Sequence, residues 1–315
     1  MVHCLSCTLL KLAKFQIPSF NPHLTDNKMS ITTKRSVLIT GCSDGSLGSG
    51  LAISFHKAGF HVYATARNPS KMKDLKALGI ETLTLDVLDK VSIAACVDKI
   101  SDRGLDILIN NAGATYPMPF SDLSLPEAKK LFDLNVWSYL EVTQAFLPLL
   151  LESKGMIVNH TSEASVLTIP FQSAYNASKA AIAVFSDTQR LELEPFGITV
   201  VDIKSGAVKS NIMNNQKDTA STASALPQNS IYAPARETLE KSLSGERFFE
   251  GAMEREDWAE FVVRRLLRKS PPKIVWMAGA QEWMVRIALC LPFNILDGIL
   301  SKMTGLNVVA KLVKR

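Results

Sequence analysis

The chain has 315 residues, of which 47% are apolar and 21% are charged, and its 35 basic and 30 acidic side chains leave a net charge of +5. This length and composition suit one large α/β domain or two small ones with a sizeable core. The positive balance is too mild and too evenly spread to indicate nucleic-acid binding.

The cysteines indicate a reducing environment. The five of them stand at Cys4, Cys7, Cys42, Cys96 and Cys290, without the spacing of a disulfide framework. An intracellular protein is therefore expected. Cys4 and Cys7 form a CxxC pair that has no second pair, so no metal site is predicted.

Residues 1–33 are expected to form a separate and disordered extension. Their apolar part is short, and no small-residue cleavage site follows it, which argues against a secretory signal. A weak membrane-contacting arm is the alternative. Met29 is a candidate for the true start of the protein.

From Ser36 onward, short β-branched or apolar runs alternate with longer segments of helical spacing. The predicted strands are 37–40, 61–66, 80–87, 105–110, 155–160, 198–203 and 273–278, and the predicted helices are 48–58, 70–78, 89–101, 126–151 and 173–194. Strict alternation predicts a Rossmann-type, doubly wound parallel sheet with helices on both faces. We expect one domain over residues 34–280.

Residues 207–235 interrupt this alternation. Their sequence is polar, rich in small residues and without period, so a long loop is predicted. Loops of this length are usually disordered or serve as lids over a site. Both descriptions hold if the loop becomes ordered when a ligand binds.

The first predicted strand runs into a glycine-rich turn, "TGCSDGSLGSG" at 40–50, and a helix follows. Such a turn lets the backbone approach a pyrophosphate at a helix N-terminus. The second strand is followed by Arg67, and no carboxylate stands there to bind a ribose 2′-hydroxyl. Arg67 is therefore predicted to pair with a 2′-phosphate, which favours NADP(H). A solvated surface arginine is the alternative.

Polar residues recur where later strands end. Asp86 closes the third strand, and "NNAG" at 110–113 closes the fourth. Ligands of open α/β sheets bind at the carboxyl ends of strands, so a shared ligand explains these residues better than turn chemistry alone.

The segment "YNASK" places Tyr175 and Lys179 four residues apart on a predicted helix, and therefore on one face. An ammonium ~4 Å from a phenol, at an effective dielectric of ~20, would stabilise phenolate by roughly 4 kcal/mol, or about three pKa units. Desolvation would oppose part of that effect. The pair alone also fits an exposed helix face, whereas a lowered pKa would suit Tyr175 to acid–base catalysis.

The order of these motifs resembles the short-chain dehydrogenase/reductase family. The resemblance spans about residues 34–210 and rests on the glycine turn at 40–48, "NNAG", "FDLNVWS" at 132–138, Ser162 and "YNASK". It implies that Tyr175 is the general acid/base and that Lys179 lowers its pKa and binds the nicotinamide ribose. It also implies that Ser162 polarises the substrate carbonyl, and that Asn135 holds a water of a proton relay.

The resemblance further implies a cofactor site in which Asn111 and Gly113 line the adenosine side. The full set is Gly41, Ser43, Gly45, Leu47, Gly48, Arg67, Asp86, Asn111, Gly113, Tyr175, Lys179, Val208 and Ser210. Two departures from the family pattern stand out. The turn reads TGxxxGxxG, one residue longer than TGxxxGxG, so an altered path is expected at Ser46 or Leu47. After the sixth strand, Ser205 replaces a proline, and Ser210 stands where threonine is common.

Within the family, the turn "TGCS", the strand end "ATAR" and the apolar C-terminus resemble the NADPH-dependent 1-acyldihydroxyacetone-phosphate reductases. A reductase of a hydrophobic or lipid ketone is therefore predicted. One alternative is a ketoreductase that modifies a polyketide or terpenoid. Another is a non-catalytic NADP-binding protein of a lipid surface.

The C-terminal tail, 281–315, is predicted to be helical and apolar. Its stretch 282–300 is interrupted by Arg286, Pro292, Asn294 and Asp297, so we expect a helix, or a pair broken at Pro292, lying on a membrane or lipid-droplet surface. The endoplasmic reticulum is a candidate membrane. A pocket cover or dimer contact is the alternative, and a homo-oligomer is considered. The basic segment 261–269 is a second candidate for head-group contact, or a solvated face.

Overall fold

Within the described residues, seven parallel strands form one sheet. The computed structural model describes residues 34–211, 226–244, 252–277 and 296–313. The strands are β1 Ser36–Ile39, β2 His61–Ala66, β3 Glu81–Thr84, β4 Ile107–Asn110, β5 Met156–His160, β6 Thr199–Ser205 and β7 Ile274–Met277. They lie in the order β3-β2-β1-β4-β5-β6-β7. The predicted doubly wound parallel sheet is confirmed.

The central strands are buried along their whole length. Every residue of β1, β4 and β5 is buried, as expected for strands covered by helices on both faces. The register pairs Val37 with Ile107 and Ile109 with Val158, so apolar side chains adjoin one another across the sheet.

Helices connect the strands. They are α1 Leu47–Lys57, α2 Lys73–Ala77, α3 Lys90–Ile100, α4 Leu125–Phe132, α5 Ser138–Ser153, α6 Ser173–Leu193, α7 Arg236–Leu243, α8 Arg255–Leu266, α9 Asp297–Met303 and α10 Leu306–Val313. One core cluster lies between the sheet and helices that include α1 and α8, with Phe55 and Trp258 fully buried. A second cluster includes α3 and α5, with Phe146 and Leu150 fully buried.

Helix α8 contains most of the basic segment 261–269. Its Trp258, Val262 and Leu266 are buried in the core, and the helix packs against α1. The apolar face of this segment is therefore part of the core, so it is not available to lipid.

The strand order places the glycine turn beside the end of β4. Because β1 lies between β2 and β4, the chain reverses its direction across the sheet at that point. Such a reversal opens a crevice at the carboxyl ends of the two central strands. The turn that follows β1 and the residues that follow β4 border this crevice.

Two predicted regions are described only in part. Of the predicted loop 207–235, residues 212–225 lie outside the described residues, and the later part contains a 3₁₀ turn at Ala233–Ala235. Of the tail, residues 281–295 also lie outside them, including Pro292, whereas 296–313 form α9 and α10. No described helix has the length and apolar character needed to cross a membrane.

Candidate active site

Tyr175 and Lys179 lie on one face of α6, as their spacing predicted. The Lys179 ammonium lies 5.9 Å from the centroid of the Tyr175 ring and 5.6 Å from that of Tyr139. Lys179 is buried, and its Nζ donates a 2.8 Å hydrogen bond to the carbonyl of His160, the last residue of β5. The helix and the strand end together hold the amine beside the phenol.

Ser162 reaches Tyr175 from the segment that follows β5. It caps a 3₁₀ turn at Glu163–Ser165, where its Oγ accepts a 3.1 Å hydrogen bond from the Ala164 N–H. The same hydroxyl donates to the carbonyl of Ser205 at 3.3 Å. The Ser162 hydroxyl lies beside the Tyr175 phenol, whose pKa it lowers. The structure therefore brings Ser162, Tyr175 and Lys179 together.

The acidity of Tyr175 differs from the sequence-based expectation. Burial raises the pKa of the phenol, and the neighbouring Ser162 hydroxyl offsets part of that rise. The expectation of a lowered pKa is wrong for the chain alone. The reason is that desolvation penalises phenolate, while Lys179 directs a hydrogen bond to the His160 carbonyl. Tyr175 is therefore held as the neutral acid.

The pKa of Lys179 is shifted in the opposite direction. Burial lowers the pKa of its ammonium to about 8, and the carboxylate of Asp202 opposes part of that change. Asp202 forms a buried ion pair with Lys204, with 2.6 Å between Oδ2 and Nζ. Burial raises the pKa of Asp202, and Lys204 and Thr161 counteract that rise. This carboxylate supports the positive charge of Lys179 inside the protein.

Asn135 lies in a π-helical turn, Asp133–Trp137, where the prediction had one continuous helix over 126–151. Its Oδ1 accepts from the Ala114 N–H at 3.0 Å, and its Nδ2 donates to the Ala114 carbonyl at 3.0 Å and to Ser178 Oγ at 3.1 Å. A Cβ on Gly113 would lie 3.1 Å from this Oδ1 and 3.7 Å from Lys179 Nζ. Asn135 thus borders the catalytic group, and its part in a water relay stays a prediction.

The glycine turn forms a close-fitting cradle. Gly41 has φ +74°, and a Cβ there would lie 2.9 Å from the Cα of Ala112. A Cβ on Gly48, in the first turn of α1, would lie 2.6 Å from both the Gly41 carbonyl oxygen and Asn111 Nδ2. Only glycine permits this approach, which leaves the N-terminus of α1 at the crevice.

The turn leads directly into α1. Ser46 caps the helix by accepting a 3.1 Å hydrogen bond from the Ser49 N–H, and Leu47 begins it. Asp44 ties the turn to α2, because its Oδ2 accepts a 2.8 Å hydrogen bond from the N–H of Lys73, the first residue of that helix. The altered path expected at Ser46 or Leu47 stays a prediction.

The remaining predicted cofactor residues border the same edge of the sheet. Arg67 directly follows β2, is exposed, and makes no hydrogen bond or ion pair with the described residues. Asp86 lies in the turn beyond β3, which ends at Thr84 rather than at 87, and its Oδ1 accepts a 3.0 Å bond from the Leu88 N–H. The Asn111 side chain is held by the protein, since its Nδ2 donates to the Thr40 carbonyl at 2.7 Å.

Four further members of the set have mainly structural contacts. The carbonyl of Ser43 accepts a 2.9 Å hydrogen bond from the Ser46 N–H within the turn. Val208 is buried and forms a β-bridge with Met253, and Ser210 is half-buried beside it. Gly45 has φ +79°, and a Cβ there would collide with Asn211. Their contacts with a cofactor stay predictions.

The comparisons with known proteins agree with this geometry. The model of the short chain dehydrogenase family matches residues 35–221, which include every predicted site residue. The chain belongs to the short-chain dehydrogenase family. The resemblance drawn from the sequence motifs is thereby confirmed.

Other members of the short-chain dehydrogenase family match over most of this chain. A short-chain dehydrogenase/reductase of Pestalotiopsis microspora is 50% identical over 284 residues, covering 90% of this chain and 99% of the relative. An NADPH-dependent 1-acyldihydroxyacetone phosphate reductase of Schizosaccharomyces pombe is 42% identical over 65% of this chain and 70% of its own length. The crystal structure of a short-chain dehydrogenase from Streptomyces avermitilis, 26% identical, aligns with a TM-score of 0.68 over 90% of this chain and 99% of that one.

Sequence reasoning missed the residues that hold the catalytic groups of this short-chain dehydrogenase. They include Tyr139, whose Oη donates to the His160 carbonyl at 3.3 Å, and the buried Asp202. Trp258 donates from Nε1 to Ser205 Oγ at 3.0 Å and lies beyond the family match. The one available signal was the serine at position 205 in place of proline.

Proposed function

We propose that the protein is an NADPH-dependent carbonyl reductase that converts a hydrophobic ketone into a secondary alcohol. The observation that carries this proposal is the half-buried phenol of Tyr175 between the Ser162 hydroxyl and the Lys179 ammonium. A reductase needs an acid at the carbonyl oxygen, and this group is positioned and protonated for that task.

The residues at the crevice fit a phosphorylated dinucleotide. The turn between Gly41 and Gly48 brings the backbone close to the N-terminus of α1, where a pyrophosphate is stabilised. Arg67 offers an exposed cation at the end of β2 that has no hydrogen-bond or ion-pair partner among the described residues, and it is suited to a 2′-phosphate. The named activity of the Schizosaccharomyces pombe relative also supports NADPH. When bound, this cofactor supplies the hydride that reaches the carbonyl carbon.

Side chains of the protein supply the proton that reduction of the ketone requires. Tyr175 donates the proton of its Oη to the carbonyl oxygen as the C–O double bond becomes single. When the ketone binds, the Ser162 hydroxyl turns its proton from the Ser205 carbonyl to the same oxygen and holds the ketone in place. Lys179 stabilises the phenolate that remains, because an ammonium favours a nearby negative charge. With a pKa of about 8, this ammonium is largely present at neutral pH.

The surroundings of Tyr175 favour an apolar substrate. Tyr175 packs against a cluster formed by Tyr116, Met118, Leu131 and Ala174. Phe171, four residues before it, packs against a second cluster of Leu226, Leu239 and Leu243. Apolar walls with a few convergent polar groups are typical of sites for hydrophobic small molecules.

We infer that 1-acyldihydroxyacetone phosphate, the ketone named for the Schizosaccharomyces pombe relative, is the first substrate to test. The experiment measures NADPH oxidation with this lipid and with a panel of aromatic, polyketide-like and terpenoid ketones. Tyr175→Phe should reduce kcat by roughly a thousandfold on every active ketone. Tyr63→Phe, a buried tyrosine of β2, is the matched control. Equal turnover by wild type and Tyr175→Phe would refute the catalytic assignment, and the preferred ketone would identify the substrate class.

We further propose that α9 and α10 contact a lipid surface, on the endoplasmic reticulum or a lipid droplet inside the cell. Ile299, Met303, Val308 and Leu312 are exposed on these helices, together with Lys302 and Lys311. Exposed apolar side chains flanked by lysines suit an anionic lipid interface. This contact would bring a lipid-borne ketone to the enzyme.

A second copy of the chain is proposed as a further partner. Val184 and Leu191 are exposed on one face of α6, at 67% and 61%, and Trp137 is exposed at 49% beside Phe185. Burial of such a face is the usual origin of a homo-oligomer. Sedimentation velocity should report a dimer or larger species, which Val184→Glu with Leu191→Glu should dissociate. A monomeric wild-type protein would contradict the proposal.

A further inference from the structure

We propose that His160 and Ser205 are positioning residues for proton transfer, because their linked side chains set the separation of Ser162 and Lys179. The inference rests on the proposed function, in which Tyr175 acts between those two groups. Neither residue touches the phenol itself. Their effect passes through the backbone of β5 and β6.

The two catalytic neighbours are anchored on the carbonyls of these same two residues. Lys179 Nζ donates to the His160 carbonyl at 2.8 Å, and Ser162 Oγ donates to the Ser205 carbonyl at 3.3 Å. The side chains of His160 and Ser205 are hydrogen-bonded to each other, with 2.9 Å between Nε2 and Oγ. One side-chain contact therefore ties together the anchor points of the ammonium and the hydroxyl.

The surrounding hydrogen bonds determine which atoms of His160 and Ser205 carry a proton. Asn111 Nδ2 donates to the Thr40 carbonyl, so its Oδ1 faces His160 Nδ1 at 2.9 Å and must accept. His160 consequently carries its proton on Nδ1. Trp258 Nε1 donates to Ser205 Oγ at 3.0 Å, which leaves the Ser205 proton for His160 Nε2. Each of these protons then has an acceptor.

The imidazole is fixed as a neutral ring. It is buried and stacks on the Trp258 indole with 5.2 Å between centroids. Burial and the nearby Lys179 ammonium lower the pKa of His160 to about 3. The other titratable neighbour is Tyr139, which donates to the His160 carbonyl and interacts electrostatically with Tyr175 and Asp202. The imidazole of His160 therefore stays neutral across the working pH range.

This arrangement gives a physical reason for serine at position 205. A proline there would offer neither the acceptor for the Trp258 N–H nor the donor for His160 Nε2, and both groups would be buried unpaired. Proton transfer depends steeply on the placement of the reacting groups, and a displacement of 1 Å can reduce a rate by about a hundredfold. A smaller shift of one carbonyl anchor should therefore be visible in kcat.

The first test is Ser205→Ala, which removes the link and leaves the backbone anchors in place. We expect kcat for ketone reduction to fall by about tenfold, while the Kd for NADPH changes by less than about twofold. Ser186→Ala is the matched control, because Ser186 also accepts a buried 2.9 Å hydrogen bond from a side chain of β5, that of Asn159. An unchanged kcat in Ser205→Ala, whatever its thermal midpoint, would overturn the proposal.

Two further readouts separate positioning from general stability. His160→Phe keeps an aromatic ring against Trp258, and its effect on kcat should be much smaller in the Ser205→Ala background than in the wild type, whereas additive effects would count against the link. NMR titration of the lysine side chains should show a lower midpoint for Lys179 in Ser205→Ala and not in Ser186→Ala. This titration needs no substrate, so it decides the inference even where the proposed reductase activity fails.

Should Ser205→Ala not fold, Trp258→Phe provides the second route. It keeps an aromatic ring against His160 and removes the Nε1 donor to Ser205, together with part of the buried volume of the indole. We expect kcat to fall by about threefold, together with a lower titration midpoint for Lys179. Wild-type values for both quantities would overturn the proposal.

Discussion

Two regions meet at one edge of the sheet and differ in how they are built. The glycine-turn region comprises β1 to β3 with the turn at 40–48, and the catalytic region comprises β5, β6 and α6. The first presents backbone, glycine and the exposed guanidinium of Arg67 at the end of β2. The second buries its charged groups, including Lys179, Asp202 and Lys204, inside hydrogen-bond networks. Variants of the glycine-turn region should therefore alter cofactor affinity. Variants of the catalytic region should alter the stability of the protein and the rate of the reaction.

The largest effect is expected in the catalytic region. Asp202→Asn leaves Lys204 buried without its counter-ion and should lower the free energy of unfolding by about 3 kcal/mol in urea titrations. Combining it with Lys204→Met should recover most of the loss, because the unpaired charge is gone. A double variant no more stable than Asp202→Asn would show that the ion pair is not the source of the effect.

The corresponding change in the glycine-turn region should leave stability unaffected. Arg67→Ala removes an exposed cation and should weaken NADPH binding by about 10- to 100-fold, with NADH binding nearly unchanged. Fluorescence titration with both cofactors measures this difference, and Lys76→Ala on α2 is an exposed control. Equal losses for the two cofactors would remove Arg67 from the 2′-phosphate role.

The catalytic region should also respond to pH. The Lys179 ammonium, with a pKa of about 8, is present below that pH and lost above it, whereas the raised pKa of Tyr175 keeps the phenol protonated. Ketone reduction should therefore be level from pH 6 to about pH 8 and fall by about tenfold per unit above it. A rate that rises above pH 8 would contradict the assignment.

The smallest effect is expected far from both regions. Val308→Glu with Leu312→Glu should reduce the flotation of the protein with anionic vesicles several-fold, without changing its kcat for a soluble ketone. Val91→Glu, at a residue of α3 that is 77% exposed, is the matched control. Equal flotation of the two variants would argue against lipid contact through α9 and α10.

The pattern of the sequence predicted most of the fold because buried strands and amphipathic helices leave strong periodic signals. All seven strands occur where expected, although β3 ends at Thr84 instead of 87. The predicted helix 126–151 was wrong in detail, since the π turn at Asp133–Trp137 has no local signature. Such a turn depends on what Asn135 contacts in the folded protein.

The sequence predicted which residues form the site, but it did not predict their pKa values or the contacts that support them. Spacing was enough to place Tyr175 and Lys179 on one face, but the pKa of Tyr175 depends on burial, which no local pattern reveals. The contact between His160 and Ser205 joins residues 45 positions apart. Neighbouring strands create it, and the sequence of either strand alone does not.

The indole of Trp258 has a practical consequence for anyone who shortens the gene. The family signature ends at residue 221, yet the ring that supports Ser205 and His160 comes from α8, and the last strand, β7, comes later still. A clone truncated at residue 221 would retain every named motif but would lack α8 and β7, which support those motifs in the folded protein. The smallest working enzyme must therefore extend at least through Met277.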